Sequence, residues 1–360
     1  MRIEAVRVDE LEVPFRTPFE TAGRTWRSRR LALLRILVGV EEGLGEIALE
    51  GPGGLPVPIP PGLLELLVGV ELDTAESVGR ALTAIENGWT LGRAARAGAE
   101  TAVMDLTSRL SGARLCDRLT NRPSGSVLLN GLVGAERPST AARAADRLVR
   151  AGFGCLKIKA DGDVGERASA VRAKVGPAVR LRVDANGTWP ERLAIETMRD
   201  LRPLDLEYVE QPIPPSLGAA ALARVRRTGG VPVAADEAVT DPEGAAELLL
   251  AGAVDALVVK PSRVGGPRQA RRIVELASDL GIGVTISTLF ETGVGLAAAL
   301  HVAASVPDVG AAHGLATAGL LESDLLVEGP VVADGRLALP AGPGLGIRLD
   351  WDAVDAYRVR

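Results

Sequence analysis

The chain predicts an α/β fold: a (β/α)8-type barrel preceded by an α+β capping domain that the C-terminal tail completes. Three observations carry this. From about residue 126, eight short apolar, β-branched runs alternate with helical segments, and the second to sixth end at 159, 184, 210, 236 and 260, spacings of 24 to 26 residues. One strand, one helix and two loops fit that interval. The first 50 residues alternate instead like antiparallel strands. Finally, 360 residues suit one large domain with an attachment or two domains. A doubly wound sheet is the competing fold, but no Gly-x-Gly-x-x-Gly follows a first strand.

Taken in order, 3–13, 31–40 and 45–49 read as a meander with a turn at Glu41-Glu42-Gly43. Between its first two strands, 14–30 is polar, contains Gly and reads as a loop able to cover a site. Pro and Gly crowd 51–62, and 63–110 reads as helices, the last from about 93 to 110 and stopped by Gly112. The barrel strands are expected at 127–132, 155–159, 181–184, 207–210, 231–236, 256–260, 284–288 and 311–315. Beyond them Asp334-Gly335 marks a hairpin. The tail is expected to pack back on the N-terminal unit. These readings give a capping domain over 1–120, joined by 325–360, and a barrel over 121–324.

Composition excludes several classes. With 41 basic and 46 acidic residues the net charge is -5, which disfavours a nucleic-acid surface. The longest apolar stretch, 292–307, is rich in Ala and Gly, contains His301 and reads as a buried helix rather than a membrane span. Met1-Arg2-Ile3-Glu4 lacks the apolar core of a signal peptide, so a soluble, cytoplasmic protein is expected. Cys116 and Cys155 lie far apart without Cys-x-x-Cys spacing, and two histidines cannot support His-rich metal chemistry. Oligomeric state is not legible from one chain, and a homo-oligomer stays open.

Lysine usage is more informative. Of the 41 basic residues only Lys157, Lys159, Lys174 and Lys260 are lysines, leaving 37 arginines. A lysine kept in such a chain points to a task closed to guanidinium, chiefly giving up a proton. Three of the four fall at predicted strand ends: Lys157-Ile158-Lys159 on the second and Lys260-Pro261-Ser262 on the sixth. Between them stand Asp184-Ala185-Asn186, Glu210-Gln211-Pro212 and Asp236-Glu237. Singly, each acid could open a turn or cap a helix. Together, one carboxylate on each of three successive strands, flanked by lysines, marks the mouth where such barrels carry their active sites.

The residue types then specify chemistry. Carboxylates from Asp184, Glu210 and Asp236 are hard oxygen ligands suited to Mg2+, with Mn2+ as the alternative, and no soft ligand favours zinc. A divalent ion gripping a substrate carboxylate would neutralise the charge that develops there when a proton leaves the adjacent carbon, giving an enediolate. Lys159 and Lys260, on opposite sides of the mouth, would face the two sides of that carbon. Lys157 would point the same way as Lys159 and, with the metal, lower its pKa. The expected ligand is thus a small-molecule carboxylate, not a nucleic acid or a membrane.

These motifs, in this order and spacing, resemble the enolase superfamily, specifically its muconate-lactonizing-enzyme subgroup, over nearly the whole chain. The resemblance implies a TIM-like barrel under a capping domain, the Lys159/Lys260 pair as acid and base, and Asp184, Glu210 and Asp236 around Mg2+. The mandelate racemase branch would show a His base on the seventh strand; here that strand ends in Ser287-Thr288. Dipeptide epimerases usually carry Asp-x-Asp at the eighth, where this chain has His313-Gly314-Leu315-Ala316-Thr317. The last two strands look most like those of o-succinylbenzoate synthases. That similarity implies dehydration of 2-succinyl-6-hydroxy-2,4-cyclohexadiene-1-carboxylate to 2-succinylbenzoate, a menaquinone-pathway step. Asn186, Ser287, Thr288, Gly314 and Leu315 would contact substrate. Gly342-Pro343-Gly344-Leu345-Gly346 is closer to lactonizing enzymes and N-acylamino acid racemases, so racemases, muconate or chloromuconate cycloisomerases and dipeptide epimerases stand as alternatives. A Schiff-base aldolase and a non-catalytic small-molecule-binding barrel are the readings from other classes.

Overall fold

The computed structural model describes residues 1–21, 24–50, 56–134, 137–307, 310–317 and 319–359. Strands β1 (Ala5–Thr21), β2 (Arg24–Val38) and β3 (Glu41–Ala48) form an antiparallel sheet in that order. Helices α1 (Gly62–Leu67), α2 (Ala75–Glu86) and α3 (Gly92–Leu110) follow. α3 lies directly on β3, because a Cβ on Gly45 would run into the Gly98 carbonyl. Of the Pro/Gly stretch 51–62, residues 51–55 lie outside the described residues.

The segment 14–30, expected as a polar loop, is largely strand. β1 and β2 pair from Ala5↔Leu37 to Pro14↔Ser28, slip, and resume at Phe19↔Trp26. The hairpin is therefore longer than its apolar alternation suggests: its charged residues hide a ladder held by backbone pairing. Residues 22–23 lie outside the described residues.

The barrel begins with β4 (Ser126–Leu129) and β5 (Gly131–Val133), expected as one strand. The break at Asn130 lets the two halves serve different neighbours. The alternation continues with α4 (Pro138–Arg150), β6 (Cys155–Lys159), α5 (Val164–Val175), β7 (Arg180–Asp184), α6 (Glu191–Leu201) and β8 (Tyr208–Glu210). Then come α7 (Gly218–Gly229), β9 (Val233–Ala235), α8 (Pro242–Leu250) and β10 (Ala256–Val259). The last turns are α9 (Pro261–Val264), α10 (Pro267–Asp279), β11 (Gly283–Ile286), α11 (Gly293–Ala303) and β12 (Ala312–His313). β5 to β11 are parallel neighbours in chain order. β12 closes the ring, pairing in parallel with β4 and meeting the seventh strand through a bridge from Ser287 to Gly314. The 292–307 stretch contains the buried helix α11, and no helix among the described residues is long and apolar enough to cross a membrane.

The tail divides its packing. β13 (Val332–Ala333) and β14 (Arg336–Ala338) form the expected hairpin, with Asp334 and Gly335 at φ 48° and 63° in the left-handed region a two-residue turn requires. β14 pairs with β4, so this hairpin joins the barrel rather than the N-terminal sheet. The end of the chain does return to that sheet: after α12 (Trp351–Ala356), the Tyr357 carbonyl accepts from Glu12 N at 2.9 Å, and Val359 N donates to the Glu10 carbonyl at 2.9 Å.

One continuous apolar core runs through both layers, and two buried acids pin them together. Glu46 of β3 accepts from Thr292 N, Thr292 Oγ1 and Gly295 N at 3.1, 2.6 and 3.0 Å, capping α11. Glu100 of α3 accepts from Arg268 N at 2.7 Å in the first turn of α10. Thus the N-terminal unit holds the helices that follow β10 and β11, the strands whose ends form one side of the mouth.

Candidate active site

The site is assembled by register. Lys159 pairs with Asp184 across the β6–β7 ladder, and Asp184 with Glu210 across β7–β8. Glu210 pairs with Ala234, two residues before Asp236 and on the same side by strand alternation. The three carboxylates, each 1% exposed, therefore line up along adjacent strand ends. Asn186 and Gln211 turn the chain away at φ 47° and 40°. Gln211 Oε1 accepts from Asp236 N and Ala238 N at 3.0 and 3.1 Å, fixing the start of the next loop.

Every carboxylate faces an ammonium group. Lys157 Nζ stands 2.9 Å from Asp184 Oδ2 and 2.8 Å from Glu210 Oε1. Lys159 Nζ donates to Asp184 Oδ2 and Asn186 Oδ1, both at 2.8 Å. Lys260 Nζ donates to Asp236 Oδ2, and Arg263 Nη1 to Asp236 Oδ1 at 2.7 Å. Asp184 Oδ1 also accepts from Asn186 N at 3.0 Å, so the turn-opening role open to it in sequence is real and coexists with the ion pairs.

Electrostatics follow from this packing. Burial works against the Lys157 cation, but Asp184, Glu210 and Asp236 hold its pKa well above the ordinary value. Burial likewise opposes ionisation of Asp184 and Asp236; Lys157 and Lys159 hold the first far below the carboxylate range, and Lys260 and Arg263 the second. Glu210 is pushed up to about 8, by burial and by its two acidic neighbours against the pull of Lys157. Glu237 is raised by burial and by Asp236. Among the described residues no three acidic, His or Cys side chains close on one point as metal ligands do. The donor set nevertheless fits a hard cation: three buried oxygen-bearing side chains on successive strands, of which Glu210 is destabilised as an anion for want of positive charge.

A cavity of about 340 Å³ opens above these groups. Lys157, Lys159, Asp184, Asn186, Asp236 and Lys260 line it, with Ser287, Thr288 and Gly314 from the last two strand ends. Glu210 is not among the lining residues; it is bonded to Lys157, which is. Leu315 corrects the expectation: it is wholly buried in the core, and Ala316 and Thr317 reach the cavity in its place. His313 is packed at the end of its strand; its Nδ1 accepts from Ile286 N at 3.0 Å, and burial lowers its pKa to about 3. His301 is a core residue as expected, its Nδ1 accepting from Cys116 N at 3.2 Å. Both cysteines are buried, with thiols raised to about 11 by desolvation.

The N-terminal unit supplies a further part of the wall: Phe19, Trp26, Arg29 and Glu50. Phe290, at φ 63°, packs its ring 4.7 Å from Phe19 and 5.5 Å from Phe15, joining the seventh-strand loop to the hairpin. Sequence reasoning missed these residues, as it missed Arg263 and any role for Glu237. Glu237 had a signal, standing beside Asp236; Arg29, one of 37 arginines on a stretch read as loop, had none.

Comparison with known proteins identifies the family. Residues 140–353 match the family model described as Enolase C-terminal domain-like. The chain belongs to the enolase superfamily, in the muconate-lactonizing-enzyme subgroup. An o-succinylbenzoate synthase from Thermobifida fusca is 38% identical over 208 residues, 56% of this chain and 62% of that protein. Muconate lactonizing enzyme from Pseudomonas fluorescens, solved with muconolactone, superposes with a TM-score of 0.90 at 26% identity over 99% of both chains. A dipeptide epimerase from Enterococcus faecalis, solved with Mg and the dipeptide L-Leu-L-Tyr, gives 0.87 at 26% identity over 96% of this chain and 99% of that one.

Proposed function

We propose that this enzyme is a Mg2+-dependent o-succinylbenzoate synthase, dehydrating 2-succinyl-6-hydroxy-2,4-cyclohexadiene-1-carboxylate to 2-succinylbenzoate in menaquinone biosynthesis. The observation that carries the reading is the shared cavity: Lys159 and Lys260 line it with Asp184 and Asp236, while the eighth-strand end contributes Gly314, Ala316 and Thr317 and no acid. A dipeptide's ammonium group would find no carboxylate there, which argues against epimerisation. The partial match to the Thermobifida fusca synthase supports the same choice.

Asp184, Glu210 and Asp236 would hold the ion. Bound Mg2+ supplies Lewis-acid neutralisation of the charge that grows on the substrate carboxylate. Lys159, relieved of Asp184, removes the proton alpha to that carboxylate; as its conjugate acid it then protonates the departing hydroxyl, which leaves as water. Asn186 Oδ1 keeps the Lys159 ammonium aligned. Lys260, held by Asp236, steadies the developing anion from the other side. Lys157, held cationic, offsets the carboxylate cluster. Ser287, Thr288 and the nearby backbone hold the succinyl chain. The N-terminal hairpin closes the cavity over the reacting carbon.

Formation of 2-succinylbenzoate from the cyclohexadiene by the purified protein with Mg2+ tests the proposal. Its absence, with alpha-proton exchange on N-succinylamino acids in deuterated water, would move the assignment to an N-acylamino acid racemase, which the two cavity lysines would equally serve.

A further inference from the structure

The wall that the N-terminal sheet gives the cavity contains a cation with most of its hydrogen bonds unmade. Arg29 is 2% exposed, and the bonds it makes come from Nη1, to Glu50 Oε2 at 3.1 Å and the Glu50 carbonyl at 3.4 Å. Its Nε and Nη2 are buried and donate to nothing among the described residues. These two nitrogens share one edge of the guanidinium plane, the edge that receives a carboxylate through two parallel bonds. Leaving such donors unpaired is costly, so their place in a cavity wall points to a ligand. Of the other cations of the cavity, Arg263 alone also has a buried nitrogen without a partner among the described residues, and only its Nε, where Arg29 has two that share an edge. Lys157, Lys159 and Lys260 are each engaged with carboxylates, and Arg263 is bound to both Oδ1 and the backbone carbonyl of Asp236. The Trp26 ring, 5.8 Å from the Arg29 guanidinium, adds an apolar, cation-compatible face to the same wall.

We propose that Arg29 is the subsite for a second carboxylate of the substrate, remote from the carbon at which Lys159 acts, so that the enzyme selects dianionic substrates. This rests on the synthase reading, in which the second carboxylate is the end of the succinyl chain. Glu50 holds the far side of the guanidinium and leaves the paired edge without a partner among the described residues.

The test is calorimetric titration of the Mg2+-loaded protein with 2-succinylbenzoate and with 2-butyrylbenzoate, which replaces the terminal carboxylate by a methyl group. Wild type is expected to prefer the succinyl compound by about 10- to 100-fold, the effect of one charge-assisted pair. Arg29→Leu should lose that preference while binding the butyryl compound within about twofold of wild type. Glu50→Gln, which leaves Arg29 in place without its internal partner, should increase the preference and serves if Arg29→Leu does not fold. An unchanged preference in Arg29→Leu, or in Glu50→Gln where only that variant folds, overturns the subsite alone. Failure of wild type to bind either compound overturns the synthase reading and the subsite with it.

Discussion

Lys159 and Asp184 are partners across one rung of the β6–β7 ladder, and their side chains meet 2.8 Å apart at its end. The contact is a product of register: a slip of one residue between the two strands would put these side chains on opposite faces of the sheet. The pair is therefore as firmly placed as the barrel itself, and the same ladder continues to Glu210.

The first prediction concerns the carboxylates. Asp236 accepts from Lys260 and Arg263, and Asp236→Asn keeps a polar group of the same size beside them while removing one of three charged side chains from the proposed Mg2+ set. Calorimetric Mg2+ titration should show affinity reduced by about tenfold or more. Unaltered affinity would take Asp236 out of that set.

A second prediction is a pH dependence of stability. Burial raises the Glu46 and Glu100 carboxyls from 4.5 to about 7, with Glu291 adding to the shift at Glu46. The folded state keeps protons that the unfolded chain gives up, so this contribution is complete below pH 4.5 and lost as pH rises through 7. Each group carries about 3 kcal/mol of it at most. Urea unfolding at pH 5 and pH 8 should show Glu100→Gln gaining on wild type at the higher pH. Comparing variant with wild type cancels the opposite effect of His301 and His313, whose pKa values burial lowers to about 4 and about 3. Parallel pH profiles for the two proteins would refute the assignment.

The junction between the layers gives a third. Gly266 sits at φ 132°, and a Cβ there would collide with the Glu100 carboxylate that caps α10. Gly266→Ala should cost about 2 kcal/mol or more, from backbone strain and overpacking together. A urea midpoint equal to that of wild type would show that the junction can relax.

Much of this was legible in sequence because it rests on periodicity. The recurring strand ends located Lys159, Asp184, Glu210, Asp236 and Lys260 correctly, and the scarcity of lysine singled out those at the mouth. What stayed hidden depends on contacts between distant segments. Nothing local tells that 14–30 pairs as a hairpin despite its polarity, that Asn130 divides the first barrel strand between two neighbours, or that Leu315 turns into the core while Thr317 reaches the cavity. At Lys157 the acids that make the site useful for a cation also stabilise the ammonium group lying against them, against the pull of burial.

The proposed role of Lys159 as base of a metal-dependent dehydration is tested most directly by the decay of cyclohexadiene absorbance with wild type and with Lys159→Ala, each with Mg2+ and with chelator. Wild type with Mg2+ should give rapid decay that chelation abolishes, and Lys159→Ala no decay above background despite wild-type stability and Mg2+ affinity. Persistent decay in a folded Lys159→Ala protein would contradict that role.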